Sequence, residues 1–102
     1  MSKLPRDEII KRLVREFGYA DWHAGRVADS IANLTPPIAE AFSHWWQTGE
    51  LPTMEVEGYT AARLVAEWRL QPAAVFLALD WLLRDPEQAV AALERGYDRI
   101  EF

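Results

Sequence analysis

The chain has 102 residues, half of them hydrophobic and about a quarter charged, with five tryptophans, no cysteine and a formal net charge of −5. That length suits one domain, and the hydrophobic content sets the chain apart from intrinsically disordered sequences. The missing cysteine excludes a disulfide framework, a thiolate metal site and a cysteine nucleophile, and the acidic balance opposes binding to a polyanion.

The first predicted element is a helix over residues 5–17, because Ile9, Ile10, Leu13, Val14 and Phe17 recur at helical spacing and Gly18 suits a left-handed cap. Its other face is basic: Lys3, Arg6, Lys11, Arg12 and Arg15 stand against Asp7, Glu8 and Glu16. Any phosphate contact therefore falls on those five side chains. A second helix starts at Asp21 as N-cap and runs to about Asn33, with Ala24, Val27, Ala28 and Ile31 on one stripe and Gly25 weakening its middle. Thr35 and Pro36 open a third, whose apolar face is Ile38, Ala41, Phe42, Trp45 and Trp46 and which ends at Gly49.

Residues 50–59 change period. Met54 and Val56 alternate with Glu55 and Glu57 as in a short half-buried strand, and residues 98–102 alternate enough to pair with it, burying Ile100 and Phe102. Thr60 caps a fourth helix ending near Trp68, with Ala61, Leu64, Val65 and Trp68 inward. The fifth, from Pro72 to Leu83, is apolar nearly all round, broken only by Asp80, and must be covered on more than one side. Asp85-Pro86-Glu87-Gln88 combines a capping Asp, a first-turn Pro and a capping-box Gln. It starts a sixth helix that buries Ala89, Val90 and Leu93, reaches about Arg95 and stops at Gly96.

The expected fold is thus all-α, about six helices with one small two-stranded β element made by residues 54–56 and 98–102. It forms a single domain in which a helical pair, residues 1–34, packs on a core of residues 35–102.

Candidate chemistry is sparse. Glu40 and His44 share a helix face, but one pair falls short of the three or four ligands that zinc takes, and it reads as a surface pair. Asp21-Trp22-His23 is explained by capping at a helix start. Ser30 and Ser43 lack a nucleophile-elbow context, and glycines 18, 25, 49, 58 and 96 are too scattered for a phosphate loop. Glu55 and Glu57 point the same way because the other face of their strand is buried. No catalytic residue, metal or cofactor is expected. The N-terminus lacks the apolar stretch of a secretory signal, and no apolar run reaches the ~20 residues that span a bilayer, so the expected home is the cytoplasm, away from membranes.

The stretch from Tyr59 to Leu83 resembles a helix-turn-helix of the winged-helix kind, with Thr60 capping a short helix, Leu70 in the turn, Pro72 opening the next helix and Val75 buried in it. The resemblance covers about a quarter of the chain and implies a recognition helix from Pro72 onward. In DNA readers such a helix carries Arg, Lys, Asn, Gln or Ser toward the bases. Here the corresponding side offers Ala73, Ala74, Leu77, Asp80 and Trp81, with no donor for guanine and with Asp80 repelling phosphate. The resulting expectation is a non-catalytic protein-protein interaction module, homo-oligomeric, that meets its partner through Leu77, Trp81, Ala73, Ala74 and Trp45. The alternative is a DNA-binding regulator that uses Lys3, Arg6, Lys11, Arg12 and Arg15 on phosphates.

Overall fold

The computed structural model describes residues 5–95. Its elements are α1 (Arg6–Phe17), α2 (Asp21–Ala32), α3 (Pro36–Thr48), β1 (Glu55–Val56), β2 (Tyr59–Thr60), α4 (Ala61–Trp68), α5 (Pro72–Arg84) and α6 (Pro86–Glu94). The fold is mainly α with one two-stranded antiparallel sheet. It divides into two compact units, Met1–Asn33 and Leu34–Phe102.

In the first unit, α1 ends where Gly18 adopts φ 72°, a backbone conformation that costs glycine nothing. The Tyr19 N–H then donates back to the Leu13 carbonyl at 3.2 Å. Ile9 and Leu13 of α1 and Ala24, Val27, Ala28 and Ile31 of α2 are buried, as their spacing predicts. Asp21 is not the cap expected of it: Ala20 holds that position, and Asp21 is the first helical residue, where its charge still complements the helix dipole. Gly25 lies inside α2, and Arg6 passes over it to donate from Nε to Asp29 Oδ1 at 2.7 Å. That bond ties the start of α1 to the last turns of α2.

The second unit is built around α5. Ala73, Val75, Phe76, Leu77, Ala78, Leu79 and Leu82 are all buried, and α3, α4, α6 and β1 pack against this helix. The T-shaped contact of Phe42 with Phe76, ring centres 5.3 Å apart, and the tilted contact of Trp45 with Phe76 at 5.4 Å join α3 to α5.

Asp80, the one carboxylate in this apolar helix, is 9% exposed and fully engaged. Its Oδ1 accepts from the Thr35 N–H at 2.9 Å and the Thr35 hydroxyl at 2.7 Å, while Arg84 Nε meets Oδ2 at 2.8 Å. Thr35 therefore stands at the N-cap of α3 but spends its side chain on α5 rather than on its own helix. The sequence reading placed Asp80 on a surface facing phosphate; it is instead a buried tie between two helices. A carboxylate survives there because three donors compensate its desolvation.

The sheet differs from expectation in its partner strand. β1 pairs with β2, Glu55 opposite Thr60 and Val56 opposite Tyr59, through the two-residue turn Glu57-Gly58. Both turn residues have positive φ, 51° and 85°, as a type I′ hairpin requires. Glu57 is therefore a turn residue, not a strand residue alternating with Val56. The tail, residues 98–102, that was expected to supply the partner lies outside the described residues. Thr60 then caps α4, accepting from the Arg63 N–H at 3.2 Å, and Asp85 caps α6, accepting from the Gln88 N–H at 3.5 Å.

Candidate binding groove

The residues singled out for a partner do not share one open face. Ala73, Leu77 and Trp45 are buried, Leu77 to 6% exposure, while Ala74 and Trp81 are half-buried. On α5 only Leu83, at 44%, is a large hydrophobic residue open to solvent. The helix does need shelter, as its composition demands, and it finds that shelter within one chain. In the first unit, Trp22 is 69% exposed and stacks on His23 with ring centres 5.4 Å apart.

The five cations of the basic face fare unequally. Lys3 lies outside the described residues. Arg6 is engaged by Asp29, Arg12 Nε donates to Glu16 at 2.8 Å, and Lys11 and Arg15 are exposed. The expected Glu40–His44 pair is also absent among the described residues: both side chains are exposed, and the carboxylate beside His44 Nε2 is that of Glu50, at 3.9 Å.

A site missed by the sequence reading forms where the hairpin, α4 and the end of α6 meet. It is an open groove of about 470 Å³ lined by Glu57, Tyr59, Arg63, Glu67, Trp68, Leu93 and Glu94. The turn places Glu57 at one rim, and α4 brings Arg63 and Glu67 to the same face one turn apart. Trp68 is fixed by its indole N–H, which donates to the Leu93 carbonyl at 3.0 Å. The Tyr59 and Trp68 rings meet edge to face, centres 5.3 Å apart.

Arg63 lies across both rings, its Cζ 4.7 Å from the centre of Tyr59 and 5.3 Å from that of Trp68. Its Nε donates to Glu67 at 2.6 Å and its Nη1 to the Gly58 carbonyl at 3.1 Å. The groove thus already holds one cation against aromatic faces, an arrangement worth about 0.5–1 kcal/mol at exposed sites. Glu67 is spent on that cation. Among the described residues, Glu57 and Glu94 have no ion-pair partner.

Tyr59 is 4% exposed, and among the described residues no group hydrogen-bonds its hydroxyl. Among the described residues no fully buried side-chain oxygen or nitrogen lacks a partner, so this hydroxyl retains access to solvent, and Tyr59 lines the groove. Burial raises its pKa above the usual phenol value, and the nearby carboxylates of Glu94 and Glu67 push the same way against Arg63. Tyr19 in the first unit is raised by burial alone. Among the described residues, no three His, Cys, Asp or Glu side chains come together as metal ligands, and no helix is long and apolar enough to cross a membrane.

Set against models of protein families, against curated proteins and against solved structures, the chain gives no significant match.

Proposed function

We propose that the chain is a non-catalytic protein-interaction module of the cytoplasm, and that the groove of Glu57, Tyr59, Trp68 and Glu94 is the surface it offers. On this reading α4 and α5 keep a helix-turn-helix-like arrangement without a face that reads DNA. The observation that carries the proposal is the groove's make-up: an aromatic floor, locked by the Trp68–Leu93 hydrogen bond, beneath a rim of charged side chains. Rigid aromatic anchors inside a polar rim are what protein interfaces are built from.

The proposal does not use the α5 face. Most of its apolar side chains, Leu77 among them, are buried in the single chain, which weakens the physical motive for seating a second copy there. The competing reading, a DNA-binding regulator, loses strength for a similar reason. Asp29 and Glu16 already neutralise two of the cations it needs.

A photo-crosslinking amino acid at position 57, in cells that make the protein, tests the proposal. The expected outcome is a discrete product joining the chain to another polypeptide, absent when the label sits at position 40 on α3. The same pattern at both positions, or no product at either, would contradict it.

A further inference from the structure

The groove has a preference in charge as well as in shape. Its lining holds three carboxylates and one guanidinium, and that guanidinium already has Glu67 and a backbone carbonyl. Two carboxylates remain, Glu57 and Glu94, on opposite sides in sequence: one from the hairpin turn, the other from the last residue of α6. An acidic rim alone would say little, since exposed carboxylates are well solvated. The second observation is Tyr59, a residue 96% buried that lines the groove and whose hydroxyl has no hydrogen-bond partner among the described residues. That hydroxyl keeps access to solvent, so a ligand seated in the groove can reach it.

We propose that the groove receives one basic side chain, an arginine or lysine presented by a protein partner, whose charged head meets Glu57, Glu94 and the Tyr59 hydroxyl. The aliphatic stem of that side chain lies along the half-exposed Trp68 ring. This rests on the interaction-module reading and names what the groove takes. Three features select this ligand class over others. The unspent carboxylates favour a cation over an anion. The indole surface favours a cation with an apolar stem over a bare metal ion. The volume, about 470 Å³, falls within the range of pockets that hold compact organic groups. The way Arg63 already sits on the two rings shows that these aromatic faces accept a guanidinium.

The test is a titration of the ¹⁵N-labelled full chain with capped Ala-Arg-Ala, Ala-Lys-Ala and Ala-citrulline-Ala at roughly physiological salt, where long-range surface attraction is screened. Citrulline keeps the shape of arginine without its charge. The Arg or Lys peptide should produce saturable shifts at the Trp68 indole N–H and at amides of residues 57–68 and 93–95, and the citrulline peptide should not. Tyr59→Phe and Glu94→Gln should each weaken binding about threefold or more, as loss of one charge-assisted contact at a partly exposed site does. Glu40→Gln, on α3, should leave it unchanged. Both groove variants should fold, since the Tyr59 hydroxyl has no bond to lose and Glu94 is exposed; the dispersion of their spectra checks this. Shifts scattered over the acidic surface, equal shifts with citrulline, or affinities untouched by Tyr59→Phe and Glu94→Gln would overturn the proposal. A cross-link at position 57 with no response to either basic peptide would leave the groove as an interface and remove the basic side chain as its ligand.

Discussion

Asp80 shows how one residue can be misplaced by pattern alone. Within an apolar run a single carboxylate reads as the wet side of a helix, yet here it is the acceptor for both donors of Thr35, 45 positions earlier, and for Arg84. Replacing it by Ala takes the acceptor from the Thr35 N–H and hydroxyl, and losing a hydrogen bond to a charged group costs about 1.5–3 kcal/mol. Asp80→Asn, which keeps one carbonyl acceptor, should cost less. Urea denaturation of the two variants measures both, and equal stability of Asp80→Ala and the parent would refute the tie. Gly25 makes the opposite case. Its φ is ordinary for a helix, and an added methyl would meet only Arg6 Nη2 at 3.5 Å, an unstrained distance. Gly25→Ala should therefore stabilise the protein by about 0.5–1 kcal/mol through helix propensity. The ion pair that crosses it has a titration signature. Arg6 holds the Asp29 carboxyl below its ordinary value, chiefly through the hydrogen bond. What the pair contributes is thus present above the usual carboxylate range and is lost as pH falls through the lowered value. Following Asp29 by NMR should give a depressed midpoint that returns to normal in Arg6→Gln; an ordinary midpoint in the parent would contradict the pairing.

At the scale of elements, the six helices were legible because their punctuation is local. Pro36, Pro72 and Pro86 each stand in a first turn, Gly18 and Gly49 each end a helix with positive φ, and Thr60 caps as its spacing suggests. The hairpin was not legible. Two-residue turns of its type are signalled by Asn-Gly or Asp-Gly, and Glu57 is a poor candidate for φ 51°. Only the alternation around Val56 hinted at a strand, and it gave no sign of the partner. The groove was illegible for a different reason. Its walls come from a turn, from α4 and from the end of α6, and no periodicity within one helix can report that juxtaposition. Arg69, the left-handed cap of α4 with φ 54°, carries the same strain as Glu57. Arg69→Gly should relieve it and raise stability by about 0.5–1 kcal/mol. A drop in the urea midpoint for Arg69→Gly would mean that its side chain contributes more than the backbone strain costs.

For the molecule as a whole, charge and packing point to the same kind of surface. An acidic chain whose basic helix has Arg6 and Arg12 paired should not retard generic duplex DNA, even at low salt where phosphate contacts are strongest. Retardation that weakens steeply with added salt would revive the DNA-binding reading. Packing supplies the stronger constraint. The apolar girth of α5 is the feature on which every functional reading turns: left open, it calls for a second copy, and covered, it frees the chain to work through its groove. Amide hydrogen exchange along residues 75–84, followed over about a hundredfold dilution, separates these cases because shelter given by another copy disappears by mass action. Protection that stays constant across the dilution series is the predicted result. Protection that fades as the protein is diluted would show that α5 is covered by a second molecule, and would return the interface to Leu77 and Trp81.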